Sequence, residues 1–251
     1  MAAGKGLIST MTQAEALTIP AHIHGYPELA FGGHLAGLLA AQLDADTVRV
    51  DFRRPVTVNT PILLSRPESG RATLTGVDDT LLVEASASTL TLDPVPTPSW
   101  SEAKSALDAA LASPSRRITD CYGCGAACEP GRGLRLFPWR VPGTEIMATA
   151  WTPDPGLADE TGELPPEVVW SALDCPGGLA GFVFSKMGQG TFTAALTATQ
   201  HAPVFAGADY ISHAWVIARD GRKHTVGVAL STPDGDLCAL AEALWIEPRQ
   251  A

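Results

Sequence analysis

Two glycine pairs, each at the start of an apolar segment, constrain the fold of this chain more than any other feature. The sequences Phe31-Gly32-Gly33 and Pro176-Gly177-Gly178 place the pairs 145 residues apart, and Leu-Ala-Gly follows closely after each. The segments 29–43 and 166–184 are apolar nearly all round, which predicts two buried helices. Alternating strand patterns come after both helices. This repeated order of elements predicts an internal duplication.

Strand patterns complete both halves, and a proline-rich segment divides them. Strands are predicted over 47–64, 70–76, 81–92, 133–139, 145–151, 191–199, 208–219, 224–231 and 237–247. Residues 93–98 contain three prolines, and 99–111 follows as a short helix that Ser99 or Ser101 can cap. We therefore predict an N-terminal unit over 20–95, a linker with a short helix over 96–117, and a C-terminal unit over 118–248.

The composition predicts a packed core and excludes several classes of partner. Hydrophobic residues make up 45% and charged residues 18% of the 251 residues, which excludes wholesale disorder. The formal net charge is −10 and lysines and arginines do not cluster, so nucleic acid is excluded as a partner. No apolar run reaches the roughly 18 residues of a membrane-spanning helix, and residues 1–20 lack the apolar core of a secretory signal. We therefore expect a cytoplasmic protein without a membrane partner.

An apolar helix that begins at Gly-Gly and is followed by an antiparallel meander resembles the hotdog fold. Phe31-Gly32-Gly33-His34-Leu35-Ala36-Gly37 is similar to the segment that opens the first hotdog of type-II acyl-CoA thioesterases. Cys121-Tyr122-Gly123-Cys124-Gly125 resembles the segment before the first strand of other small hotdog thioesterases, and 234–239 resembles their closing turn and strand. The resemblance covers 20–248. It implies an α+β double hotdog, two antiparallel sheets each wrapped around a long central helix, as a monomer or a homodimer.

The same resemblance implies a site for acyl-CoA at the start of the first helix. Backbone N–H groups at a helix N-terminus, with glycines that admit a carbonyl, form an oxyanion-type site. Here Gly33 and His34 would donate to the thioester carbonyl. Asp174 would face the Gly32–Gly33 turn from the other half and activate water. The alternative for Asp174 is a capping role at the second helix.

Several further residues are candidates for contacts with the substrate. Neighbouring strand residues face opposite ways, so at most one of Arg53 and Arg54 points at the CoA phosphates. His22 and Glu28 are additional polar candidates near the first helix. The residues that we expect to bind the substrate are Gly32, Gly177, Gly178, His24 and Arg54.

Five cysteines, three of them close together, leave two further readings open. The spacing Cys121-x2-Cys124-x3-Cys128 could begin a zinc site, with Cys175 or a distant histidine as the fourth ligand. Cys175, beside a helix N-terminus, is also a candidate nucleophile, although no histidine lies near it in sequence. Because the thioesterase resemblance already accounts for Cys121 and Cys124, we assign no metal and no cofactor.

The chain departs from hotdog enzymes at positions where they carry catalytic side chains. The helix positions that hold a carboxylate in single-hotdog families are Ala41 and Gln42 in the first half, and Lys186 and Met187 in the second. Ala241 stands where the type-II family has a glutamine. Three functions therefore stay open: a thioesterase for acyl-CoA, a non-catalytic protein that binds acyl thioesters, and a structural duplication whose helices only form a core.

Overall fold

One antiparallel sheet organises the parts of the chain that the computed structural model describes, residues 14–66, 70–114 and 119–249. Its strands there are β1 (Glu15–Thr18), β2 (Thr47–Phe52), β3 (Pro61–Ser65), β4 (Arg71–Gly76), β5 (Leu81–Ala87), β6 (Trp139–Arg140), β7 (Ile146–Trp151), β8 (Phe192–Gln200), β9 (Tyr210–Asp220), β10 (Lys223–Ser231) and β11 (Leu237–Ile246). The helices are α1 (Gly32–Ala40), α2 (Trp100–Ala112), α3 (Pro166–Ser171) and α4 (Cys175–Phe184), with a 3-10 turn at Pro155–Leu157.

Corresponding strands follow in the same order on both sides of a central pair, with β6 as an additional strand at the edge of the second side. Strands β2 and β8 pair from Thr47 opposite Thr199 to Asp51 opposite Ala195. Outward from β2 the order is β5, β4, β3, β1, and outward from β8 it is β11, β10, β9, β7, β6. The two antiparallel sheets that the resemblance implies form one continuous sheet, because hydrogen bonds between β2 and β8 join them.

The expectation of two long central helices is wrong. Helix α1 begins only at Gly32, because Leu29 and Ala30 form β-bridges with Thr57 and His24. The predicted helix 166–184 is divided into α3 and α4. Pro176 has no N–H to donate to the Ala172 carbonyl, and its ring would clash with that carbonyl in a continuous helix. The Ala172 carbonyl instead accepts a hydrogen bond from the Ser212 hydroxyl at 3.3 Å.

The segment 133–137, predicted as part of a strand, lies outside the sheet. The N–H groups of Leu134 and Leu136 donate to the carbonyls of Tyr122 and Gly123, so this segment pairs with the cysteine-containing loop. In contrast, the short helix after the prolines is confirmed as α2. The Ser99 side chain accepts from the Glu102 N–H, and the Glu102 side chain accepts from the Ser99 N–H.

Helices α1 and α3 pack against each other with very little space between their backbones. A Cβ atom added to Gly33 would lie 2.6 Å from the Cα of Ser171. The buried core on this side of the sheet includes Leu35 and Val50 from the first half and Leu196 and Val228 from the second. None of the described helices is long and apolar enough to cross a membrane. The close helix pair brings the start of α1 against the turn between α3 and α4.

Candidate active site

The Asp174 carboxylate lies between the start of α1 and strand β8. Its Oδ2 accepts a hydrogen bond from the Gly33 N–H at 2.9 Å, and its Oδ1 accepts one from the Thr193 hydroxyl at 2.9 Å. Asp174 precedes α4, but its side chain makes no capping hydrogen bond to that helix. The structure therefore brings Asp174 to the Gly32–Gly33 turn, and the alternative in which it caps its own helix is wrong.

Asp174 lies so close to the first turn of α1 that both residues of the pair Gly32–Gly33 have to be glycines. A Cβ atom on Gly32 would lie 3.1 Å from the Oδ2 atom of Asp174, and one on Gly33 would lie 3.0 Å from the Cβ of Asp174. A Gly33 side chain would also meet the backbone of α3, as described above. Only a residue without a side chain lets the carboxylate approach the first turn of the helix this closely.

Asp174 is 3% exposed, and burial raises the pKa of its carboxyl to about 6. The hydrogen bonds from Thr193 and Gly33 act in the opposite direction, because they stabilise the charged form. A carboxylate whose pKa lies closer to neutrality accepts a proton from water more readily than an exposed aspartate does. The site therefore combines a fixed orientation with an increased basicity.

A cavity of about 450 Å³ opens beside Asp174, within the range of ligand-binding sites. Charged groups on its wall are Asp174, Arg53, Arg54, Arg222 and Glu247. Most of the rest of the lining is apolar, from Leu29, Phe31, Leu35, Phe52, Val56, Leu179, Phe182, Phe192, Trp245 and Ile246. The cavity draws residues from both halves of the chain. It suits a ligand with a long apolar part and a polar or anionic end.

The predicted site residues divide into those on the cavity wall and those behind it. Gly32, Gly178 and Arg54 line the cavity together with Asp174. The Gly33 N–H is already engaged with the Asp174 carboxylate, so it positions that carboxylate. Arg53 pairs with Glu84, whereas Arg54 is exposed at the cavity.

The remaining candidates do not line the cavity. His34 lies edge-on to Tyr122, and burial lowers its pKa to about 4. His24 contacts Asp120 and the Ala21 carbonyl. Gly177 packs against Val226 and Val228. Glu28 and His22 likewise lie outside the lining.

Sequence reasoning missed Thr193 as a member of the site. Thr193 lies near the start of β8, a strand whose apolar pattern was recognised, but no motif marks its hydroxyl. The contact with Asp174 becomes visible only when β8 is placed beside the turn between α3 and α4. Its hydroxyl is one of the two donors that orient the carboxylate.

Three cysteines gather at the same wall of the cavity. The sulfur atoms of Cys121, Cys124 and Cys175 all lie within 4.8 Å of one another, and the Cys121–Cys175 distance is 3.6 Å. Cys128 lies apart, where its thiol donates to the carbonyls of Asp120 and Cys121. The cluster is therefore not the one suggested by the sequence spacing. Hydrogen bonds from Cys124 and Cys175 lower the pKa of Cys121, while the bond to Cys121 raises that of Cys175.

Several solved structures, among them an acyl-CoA thioesterase II and a protein with a hotdog fold, have the same fold as this chain. A tesB protein of Mycobacterium avium subsp. paratuberculosis superimposes with a TM-score of 0.61 and 13% identity, over 90% of this chain and 91% of that one. An acyl-CoA thioesterase II of Mycobacterium marinum gives a TM-score of 0.60 and 12% identity, over 95% and 97%. A protein of unknown function with a hotdog fold from Alicyclobacillus acidocaldarius gives 0.53 and 12%, over 97% and 96%.

These likenesses confirm the resemblance to type-II and other hotdog thioesterases at the level of structure. No family model and no curated protein matches the sequence. The superpositions establish a shared fold, and at identities of 12–13% the activity has to be argued from the site.

Proposed function

We propose that this protein is a thioesterase that hydrolyses an acyl-CoA or a related acyl thioester. The observation that carries the proposal is the Asp174 carboxylate, held by Gly33 and Thr193 beside a largely apolar cavity at a helix N-terminus. The names of the structural neighbours, a tesB protein and an acyl-CoA thioesterase II, support the same activity.

In the proposed reaction Asp174 acts as a general base on water. A carboxylate has about four lone-pair sites, so it can accept from a water molecule in addition to Gly33 and Thr193. As Asp174 takes a proton, the water oxygen bonds to the thioester carbon and the carbonyl oxygen gains a negative charge. The C–S bond then breaks, the electron pair leaves with sulfur, and the thiolate of CoA takes up the proton from Asp174.

The first turn of α1 is the proposed donor group for the carbonyl oxygen. The N–H groups of Gly32, Gly33 and His34 have no acceptor within the helix, and the helix dipole favours negative charge there. Because the Gly33 N–H holds Asp174, we now assign the carbonyl contact first to Gly32, which lines the cavity. Donation by His34 stays a prediction.

The two ends of an acyl thioester match two parts of the cavity. The apolar side chains suit the acyl chain, and burial of each methylene contributes about 0.8 kcal/mol to binding. Arg54 is exposed at the cavity and is the proposed partner of the CoA phosphates. Gly178 is proposed to contact the substrate from α4, whereas contacts from His24 and Gly177 would need a ligand that extends beyond the cavity wall.

We also propose that the halves, 20–95 and 118–248 with the linker 96–117 between them, are two hotdog units that arose by duplication. The corresponding outward order of the first four strands from β2 and from β8 supports this interpretation, and β6 is an additional edge strand of the second half. The residue before α1 that corresponds to Asp174 before α4 is Phe31. Because phenylalanine cannot act as a base, we expect a single working site. A monomer and a homodimer both fit a pair of fused units, and the cytoplasm remains the proposed location.

The alternative is a protein that binds acyl thioesters without hydrolysing them. It is favoured by the residues at the positions where related enzymes carry catalytic groups. No carboxylate stands at Ala41, Gln42, Lys186 or Met187, and buried Ala241 replaces the glutamine of the type-II family. Asp174 and Thr193 would then only bind the carbonyl end of the ligand through bound water.

An acyl-CoA panel of increasing chain length separates the two functions. Hydrolysis is followed by chromatography of the free acid, because the five cysteines of the chain would themselves consume a thiol reagent. Hydrolytic activity that co-elutes with the protein on gel filtration, at a rate that saturates with substrate concentration, supports the thioesterase. Saturable binding of acyl-CoA without product would overturn it in favour of the binding protein, and absence of both would favour a purely structural duplication.

A further inference from the structure

We propose that Cys121, Cys124 and Cys175 form a zinc site on the wall of the cavity. The three residues come from two segments far apart in sequence, and their sulfur atoms converge to within 4.8 Å of one another. Thiolate sulfur is the ligand type that zinc prefers in proteins. The proposal is independent of the thioesterase activity, because no step of the proposed reaction uses the metal.

The spacing of the sulfur atoms fits tetrahedral zinc closely. A Zn–S bond of about 2.3 Å in tetrahedral geometry places neighbouring sulfur atoms about 3.8 Å apart. The Cys121–Cys175 distance is 3.6 Å, which already matches this value. The widest pair in the cluster needs to close by no more than about 1 Å, which small side-chain rotations can supply.

The loop that carries two of the ligands is fixed from both sides. On one side the Tyr122 N–H donates to the His24 carbonyl at 2.8 Å. On the other side the segment 133–137 donates to the carbonyls of Tyr122 and Gly123, and the Gly125 N–H donates to the Cys121 carbonyl. These bonds hold the Cys-x-x-Cys turn in place without a metal. A site that is ordered before binding loses less entropy when the metal binds.

Gly123 is what allows the third cysteine to approach this loop. A Cβ atom on Gly123 would lie 2.7 Å from the sulfur of Cys175 and 2.8 Å from the ring of Phe31. Cys175 is the first residue of α4, a helix of ten residues, so the start of that helix fixes its position. Three features of the fold therefore converge on the same point: the loop, the glycine and the helix start.

The two cysteines outside the cluster, the half-buried Cys128 and the buried Cys238, provide the contrast. Cys128 and Cys238 also lie in the protein, and their thiols are directed at backbone carbonyls of residues near them in sequence. Cys121 and Cys175 face each other across 54 positions of the chain. A Cys121–Cys175 disulfide would need the sulfur atoms at about 2.0 Å, and oxidation to that bond is the main competing outcome.

A metal held by three cysteines takes its fourth ligand from elsewhere. All three cysteines line the cavity, so we infer that the fourth position faces the cavity and is filled by water or by a ligand atom. This arrangement differs from a closed structural zinc site with four protein ligands. Because three thiolates outweigh the two positive charges of Zn²⁺, the loaded site would carry a net negative charge on the cavity wall beside Asp174.

The test uses the full chain, reduced, treated with a chelator and then loaded with zinc or cobalt(II). We expect one equivalent of zinc per chain by elemental analysis after gel filtration. Cobalt(II) should give the sulfur-to-cobalt charge-transfer band and the intense visible bands of a tetrahedral thiolate site. Replacement of Cys121, Cys124 or Cys175 by serine should each lower the affinity for zinc at least about 100-fold.

The matched control is Cys128→Ser, which changes a thiol of the same loop that lies outside the cluster. It should retain one equivalent of zinc and the cobalt spectrum. The proposal is overturned by less than stoichiometric zinc, by equal loss in Cys128→Ser, or by a Cys121–Cys175 disulfide that persists with metal present. Circular dichroism separates lost binding from lost folding, and Cys124→Ala serves as a second variant if a serine variant unfolds. No acyl-CoA is present, so the outcome does not depend on the proposed activity.

Discussion

Two donors of different kinds orient the Asp174 carboxylate, and each can be changed separately. The Gly33 N–H belongs to the backbone of α1, whereas the Thr193 hydroxyl is a side-chain group on β8. A hydrogen bond to a charged acceptor contributes about 1.5–3 kcal/mol. The Thr193 hydroxyl is thus a positioning group whose removal should alter catalysis while the fold stays intact.

We expect Thr193→Val to lower kcat for acyl-CoA hydrolysis about tenfold to hundredfold, with KM nearly unchanged. Valine keeps the shape of threonine and suits a strand, so the loss comes from the missing hydrogen bond. Steady-state kinetics measure the effect. Thr193→Ser, which keeps the hydroxyl, should recover most of the activity, and a valine variant as active as the parent would remove Thr193 from the site.

A second residue-scale prediction concerns His213, which is fully buried on β9 and stacks on Trp215. Burial lowers its pKa from 6.5 to about 4, although a hydrogen bond to the Val95 carbonyl acts in the opposite direction. Between these two pH values the unfolded chain binds a proton that the folded protein does not bind. The free energy of unfolding should therefore fall as the pH drops through this range.

We expect the parent protein to lose about 2 kcal/mol more of this free energy than His213→Phe between pH 7.5 and pH 5. Phenylalanine keeps an aromatic ring beside Trp215 and does not titrate. Denaturant titrations of both proteins at a series of pH values measure the difference. Parallel curves for the two proteins would show that His213 does not cause the acid sensitivity.

At the scale of elements, the contact between α1 and α3 determines where the site lies. We expect Gly33→Ala to lower the free energy of unfolding by about 1–3 kcal/mol, because its Cβ would lie 2.6 Å from the Ser171 Cα. Gly188→Ala is the matched control. Its Cβ would have only an ordinary 3.8 Å contact with Glu247, so we expect a change below about 0.5 kcal/mol. Equal effects in denaturant titrations would argue against tight packing of the two helices.

Element boundaries were less predictable than element types. The alternating apolar residues of 133–137 correctly indicated burial, but their N–H groups pair with the cysteine loop, a contact that no local pattern reveals. The break before α4 could have been predicted, because Pro176 cannot continue a helix through the preceding turn. Apolarity over 166–184 concealed it, since both α3 and α4 are buried.

The site was predictable in part, and the reason lies in sequence separation. Asp174 and the glycine pair were found together through a family resemblance, which already contains the tertiary arrangement. Thr193 reaches Asp174 from strand β8, and Cys175 reaches Cys121 across 54 positions of the chain. Neither contact follows from spacing in the sequence. The first depends on where β8 lies relative to the turn between α3 and α4, and the second depends on where α4 lies relative to the loop 119–125.

At the scale of the whole molecule, the β2–β8 pair joins the halves into one sheet with a shared core. All six tryptophans lie at position 100 or later, so their fluorescence reports mainly on the C-terminal part. We expect the fluorescence and far-ultraviolet circular dichroism transitions to coincide in denaturant, because the halves should unfold together. A circular dichroism change that precedes the fluorescence change would show that the N-terminal half unfolds separately.

The most direct test of the central claim is the turnover of Asp174→Asn on the acyl-CoA that the parent protein hydrolyses best. Asparagine fills the same space but cannot take a proton from water, so kcat should fall at least about 100-fold while saturable binding of acyl-CoA persists. Asp236→Asn, at an exposed position outside the cavity lining, should retain full activity. Undiminished turnover in Asp174→Asn would contradict the assignment of Asp174 as the base.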